Sequence, residues 1–117
     1  DAAAMHAAVG AAAGGWVLHC AATVNVEGCA RDPQNARETI VGGTRNAIAL
    51  AKEAGARLFY PQSFLVHDGR SNPIPEDEQP RPLSLYGELK HECQRMIEAE
   101  MPDALVVTMA GFFGGED

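Results

Sequence analysis

The sequence predicts an α/β fold: a doubly wound parallel sheet of about three strands with flanking helices. Three observations carry this expectation. Short apolar runs alternate with longer stretches of helical periodicity, in the order helix, strand, helix, strand, loop, helix, strand. The apolar runs are near-continuous, as in strands buried on both faces. Residues that could serve a ligand, Ala21-Ala22, Ser63 and Ala110-Gly111, fall just past the ends of those runs. Parallel sheets joined by right-handed crossovers bind ligands at their carboxyl edges.

Each element has a local reason. Residues 2–13 are alanine-rich, with Met5 and Val9 at helical spacing, and Gly14-Gly15 suit a helix stop. Trp16-Val17-Leu18-His19-Cys20 is a short, mostly apolar run and reads as the first strand. Asp32-Pro33 is a helix start, an N-cap followed by proline at the first position. Apolar residues from Ala36 to Ala51 then recur at three- and four-residue steps, and Gly55 can close the helix. Gly42-Gly43 would weaken its middle, which makes sense if the helix approaches a neighbour closely there.

Arg57-Leu58-Phe59-Tyr60 begins a second strand that leads to Ser63. From Asp68 to Pro82 the chain is polar and holds four prolines, so it reads as a loop beside the site, as substrate loops often are. Ser84 is an N-cap for the next helix, with Glu88 near the positive end of its dipole. Pro102 follows that helix, and Ala104–Met109 is the third strand.

Composition narrows the function classes. A chain of 117 residues holds at most one small domain. Its net charge of −7, without a basic stripe, argues against nucleic acid or an anionic membrane as partner. No apolar run reaches the roughly 18 residues of a membrane span. The alanine-rich start lacks the basic residues of a signal peptide. Cys20, Cys29 and Cys93 are odd in number and lack C-x-x-C spacing, which reads as reduced thiols in a cytoplasmic protein. Four scattered histidines predict no metal site. The chain opens on Asp1 without methionine and stops just past a strand, so both ends read as cut, as in a gene fragment.

The chemistry is concentrated in Tyr86-Gly87-Glu88-Leu89-Lys90, with Ser63 upstream. A tyrosine and a lysine four apart share one face of a helix. An ammonium at that spacing favours ionisation of the phenol. A serine hydroxyl nearby can hold a substrate carbonyl or alcohol beside it. The bland alternative is packing and capping: Ser63 as a turn residue, Tyr86 as a helix anchor, Ala21-Ala22 as tight strand–helix packing.

With these residues in place, the whole chain resembles the extended short-chain dehydrogenase/reductase family, in its NAD-dependent epimerase/dehydratase group. Leu18-His19-Cys20-Ala21-Ala22 resembles the family's strand-end segment against the cofactor. Ala110-Gly111-Phe112-Phe113-Gly114 resembles the segment after the sixth strand. The subgroup similar to dTDP-4-dehydrorhamnose reductase fits best. Val26-Glu27, Asp32-Pro33 and Ala36 match its spacing. Ser63-Phe64-Leu65-Val66-His67-Asp68-Gly69 resembles its "Thr-Asp-Tyr-Val-Phe-Asp-Gly", and Glu76 with Pro82-Leu83-Ser84-Leu85-Tyr86-Gly87 its "Glu…Pro-Leu-Asn-x-Tyr-Gly". Three positions depart: Ile40 stands for an asparagine that organises the lysine through water, Thr108 for an arginine, and Gln94 for a glutamate.

The resemblance implies a partial Rossmann fold. Residues 1–117 would form the central to C-terminal part of a dinucleotide-binding domain, without its glycine-rich first turn and without the substrate-binding region. It implies NAD or NADP as cofactor and a nucleotide-linked sugar as substrate. Ser63, Tyr86 and Lys90 would be catalytic. Asp1, Ala21, Ala22, Tyr86 and Lys90 would contact the cofactor. The reaction implied is reduction of a 4-keto sugar; an epimerase or dehydratase on the same scaffold is the close alternative, and a non-catalytic nucleotide-binding paralogue the more distant one. A homodimer of the full-length protein is left open, and the isolated fragment is expected to be inactive.

Overall fold

The computed structural model describes residues 2–9, 14–22 and 25–110. Its helices are α1 (Ala2–Val9), α2 (Val26–Arg31), α3 (Pro33–Arg37), α4 (Gly43–Ala54) and α5 (Leu85–Glu100). Its strands are β1 (Trp16–Leu18), β2 (Arg57–Ser63) and β3 (Leu105–Met109). All pairing is parallel, in the order β1-β2-β3, with Val17 opposite Leu58 and Ser63 opposite Met109. This is the parallel α/β arrangement that the sequence predicts. Asp1, residues 10–13 and Gly111–Asp117 lie outside the described residues, so the end of the first predicted helix and the Gly111–Gly114 segment are not placed.

The central strand organises the core. Leu58, Tyr60 and Gln62 alternate along β2 and are each at most 1% exposed. Leu58 and Tyr60 cluster with Ala47, Ile48 and Ala51 of α4 and Leu89, Cys93 and Ile97 of α5, all buried. Full burial of each large aliphatic side chain contributes about 1.5–3 kcal/mol.

The anticipated caps form. The Asp32 carboxylate accepts from the Asn35 N–H at 3.1 Å, the Ser84 hydroxyl accepts from the Gly87 N–H at 3.1 Å, and Gly55 closes α4 with φ of +61°. The short α2 is additional, started by Asn25, which accepts from the Gly28 N–H at 3.0 Å.

Three expectations are corrected. The outer strands are not buried on both faces: Trp16 is 46% exposed, Leu18 63% and Leu105 46%. Among the described residues α4 and α5 pack on one face of the sheet, so in β1 only Val17 is sheltered. The helix expected from Pro33 to Gly55 is interrupted by a π turn, Glu38–Gly42. The glycine pair serves no close approach: a Cβ on Gly42 would meet nothing within 4 Å, and one on Gly43 only His19 Cε1 at 3.9 Å. The two glycines instead carry the chain from the wide turn back into α4.

The proline-rich stretch is irregular, as expected. It opens on Asp68-Gly69, where the Asp68 carboxylate accepts from the Arg70 N–H at 3.0 Å and Gly69 adopts φ of +76°. It closes where the Arg81 N–H donates to the Val66 carbonyl at 2.8 Å.

Candidate active site

Ser63 is the last residue of β2, and its hydroxyl caps a 3-10 turn, Phe64–Val66, by accepting from the Leu65 N–H at 3.1 Å. Tyr86 sits in the first turn of α5, 5% exposed, and the Ser63 hydroxyl is near enough to its phenol to act on the phenol's titration. Lys90, one turn on, is 4% exposed. The structure thus brings the three candidate residues to one place, at the carboxyl edge of the sheet. Ser63, Tyr86 and Lys90 line one cavity of about 380 Å³ with His19, Cys20 and Ala22. Ala21, expected to contact cofactor, is exposed and does not line it, and Asp1 lies outside the described residues.

The electrostatics differ from the sequence argument. Burial pushes the Tyr86 phenol up, the neighbouring Ser63 hydroxyl opposing it. The Lys90 ammonium is engaged elsewhere: it donates to the Pro61 carbonyl at 3.0 Å and lies 4.1 Å over the Tyr60 ring, a cation–π contact. Burial holds Lys90 below the ordinary lysine value, with the Cys93 and Cys20 thiols acting in the opposite direction. A buried ammonium stays charged only with such partners.

Behind the cavity lies a polar floor. The buried polar side chains among the described residues are His19, Thr44, Gln62 and Lys90. The Thr44 hydroxyl donates to the Ile40 carbonyl at 2.8 Å and lies 3.0 Å from His19 Nε2. A hydroxyl has one proton, so His19 Nε2 carries the N–H that Thr44 accepts. Burial and the Lys90 charge hold His19 below the ordinary histidine value, hence neutral. The Cys93 thiol also reaches the Ile40 carbonyl, at 3.5 Å. Position 40, where the resemblance expects an asparagine, thus presents a backbone acceptor in the π turn while its side chain fills the core. Such turns frequently mark functional sites.

Sequence reasoning missed Gln62, Thr44 and Cys93. A signal for the first was available: 58, 60 and 62 share one face of β2, so a glutamine there faces the helices.

A second cavity of about 550 Å³ shares Phe64, Met109 and Ala110 with the first, and Ile74, Pro75 and Glu76 of the proline-rich loop wall it. Among the described residues no cluster of three metal-ligating side chains occurs, and no helix is long and apolar enough to cross a membrane. The thiols of Cys20, Cys29 and Cys93 are all free.

The parallel sheet with a cavity at its carboxyl edge defines a Rossmann-type α/β protein. The chain belongs to the RmlD substrate binding domain family, which it matches over residues 1–117. It is 36% identical over 99 residues to methionine adenosyltransferase 2 subunit beta of Danio rerio, covering 84% of this chain and 30% of that protein. Among solved structures it resembles a dTDP-4-dehydrorhamnose reductase from Clostridium acetobutylicum, at 29% identity and a TM-score of 0.79, over 87% of this chain and 37% of that one. A dTDP-4-dehydrorhamnose reductase from Bacillus anthracis, in complex with NADP, shares the fold at 24% identity and a TM-score of 0.72, over 80% and 34%. The chain thus spans about a third of the length of these relatives.

Proposed function

We propose that this chain is the central part of an NAD(P)-dependent oxidoreductase that reduces the 4-keto group of a nucleotide-linked sugar. The observation that carries this reading is the meeting of Ser63, Tyr86 and Lys90 around one cavity at the carboxyl edge of the sheet. The residues present fit a nicotinamide cofactor. Two of the three Lys90 N–H groups are not used by Pro61 and can hold ribose hydroxyls. Cys20 and Ala22, small side chains past the end of β1, leave room at the cavity wall. When bound, the cofactor supplies the hydride.

The residues supply position and a proton. Ser63 donates a hydrogen bond to the sugar carbonyl oxygen and orients it towards Tyr86. Tyr86 gives its proton to that oxygen as general acid, and the developing phenolate is stabilised by the positive charge of Lys90. A phenol pushed up by burial is protonated at neutral pH, as a general acid must be. The second cavity, walled by Ile74–Glu76, offers room for the rest of the substrate.

A second reading, a non-catalytic nucleotide-binding subunit, is favoured by the likeness to methionine adenosyltransferase 2 subunit beta. One experiment separates the two. The full-length protein is given NADH or NADPH with a nucleotide-linked 4-keto sugar, and oxidation of the cofactor is followed. Stoichiometric oxidation with formation of the 4-hydroxy sugar supports the reductase. Cofactor binding without any turnover of nucleotide sugars overturns it in favour of the subunit, and interconversion of sugar epimers without net oxidation turns it towards an epimerase.

A further inference from the structure

Gln62 is 1% exposed, and a buried primary amide is costly unless it is hydrogen-bonded. Its bonds run to the two sides of the candidate site. Its carbonyl oxygen accepts from the backbone N–H of Ser63 at 2.9 Å. Its amide nitrogen donates to the backbone carbonyl of Lys90 at 3.0 Å and to Oε1 of Gln94 at 2.8 Å. Gln94 is in turn oriented, donating to Glu98 at 2.8 Å. One rigid amide therefore spans from the strand end that carries Ser63 to the helical turn that carries Lys90.

That span matters because the two sides are held together differently elsewhere. The Lys90 ammonium returns to β2 through its flexible side chain, to the Pro61 carbonyl and the Tyr60 ring. Ser63 and Tyr86 line the cavity, and their hydroxyls must be available to substrate. Gln62 links backbone to backbone, so it sets the separation that the reacting groups inherit.

We propose that Gln62 is a positioning residue, whose amide clamps the Ser63 end of β2 to the Lys90 turn of α5 and so fixes the spacing of the serine hydroxyl and the lysine ammonium. The proposal rests on the reductase reading for its consequence in turnover. Its geometric content stands apart from that reading. A displacement of about 1 Å at such groups costs on the order of 100-fold in rate.

The test uses the full-length protein and Gln62→Met, which keeps the volume and removes the three hydrogen bonds. Two quantities are read: steady-state turnover, and the titration of the Lys90 ammonium by NMR of isotope-labelled lysine, assigned by its loss in Lys90→Arg. The expected result is a kcat lower by roughly 10- to 100-fold, a KM for nucleotide sugar within about twofold, and a Lys90 titration displaced by about half a pH unit or more. An unchanged kcat in an active enzyme overturns the proposal. So does a fall in kcat with an unmoved Lys90 titration, since the loss is then one of packing. A wild-type protein without turnover, whose Lys90 titration still moves in Gln62→Met, keeps the clamp and overturns the reductase reading instead. Should Gln62→Met fail to fold, Gln94→Ala at the half-buried rim loosens the same amide from its outer partner. Smaller changes in both quantities are then expected, and their absence overturns the clamp.

Discussion

Gly87 lies so close beneath the Leu65 carbonyl oxygen that a Cβ at this position would collide with it. The same Cβ would stand 3.0 Å from Cβ of Pro82. The first turn of α5 is thereby pressed onto the 3-10 turn after β2, and this contact sets Tyr86 beside Ser63. A glycine is required here for space and not for a special backbone angle, since the residue is helical.

Gly87→Ala therefore forces backbone apart, because a carbonyl cannot rotate away as a side chain does. The expected cost is about 1–3 kcal/mol of stability, read as a lower denaturant midpoint at unchanged slope. Turnover should fall as well, because the Tyr86 and Ser63 hydroxyls separate. A variant of wild-type stability would mean that the two turns are not in contact.

Tyr86→Phe removes the proposed proton donor and leaves the ring packing. In the full-length enzyme kcat is expected to fall by about 10²- to 10⁴-fold, with cofactor affinity retained. The check is steady-state kinetics together with a cofactor titration. Unchanged turnover would show that Tyr86 is not the acid.

Much of this was legible from the chain. The parallel order, the caps at Asp32, Ser84 and Gly55, and the meeting of Ser63, Tyr86 and Lys90 follow from periodicity, cap chemistry and topology, which are local or nearly so. What was not legible depends on neighbours. Continuous apolar runs in β1 and β3 look the same whether one face or two are covered, so the exposure of Trp16 and Leu18 could not be read from them. The π turn at Glu38–Gly42 has no composition of its own. The direction of the Tyr86 shift was missed because helical spacing places Lys90 near the phenol but says nothing of how far the phenol is buried, and burial sets the direction.

The histidines predict a pH dependence. Burial is the main cause holding both His19 and His91 below the ordinary value of 6.5, with Lys90 adding at His19 and Arg95 at His91. Their folded-state values lie below their unfolded ones, so the unfolded chain binds more protons and stability rises with pH in that window. Acidification from about pH 6.5 should therefore destabilise the fold, by at most about 1.4 kcal/mol per pH unit for each histidine. His19→Asn keeps a donor towards Thr44 but does not titrate. Denaturant midpoints measured from pH 7.5 down to 5 should show a shallower slope for this variant, and an identical slope would remove His19 from the account.

The last prediction concerns the 117-residue chain alone. Among the described residues β1 is an outer strand, with Trp16 and Leu18 exposed and only Arg57 stacked at 4.4 Å over the indole. An outer strand with unpaired backbone groups and exposed apolar side chains invites association. The chain also has no G-x-x-G-x-x-G turn, the element whose backbone N–H groups hold a dinucleotide pyrophosphate at a helix N-terminus. In the proposed reading Lys90 and Tyr86 would hold only the nicotinamide end. The isolated chain is therefore expected to bind NADH and NADPH weakly or not at all, to show no reductase activity, and to self-associate with rising concentration. Calorimetric titration with each cofactor and sedimentation across a concentration series check this. Tight, saturable binding would place the pyrophosphate site within these residues, and the alignment that puts the glycine-rich turn outside them would have to be abandoned.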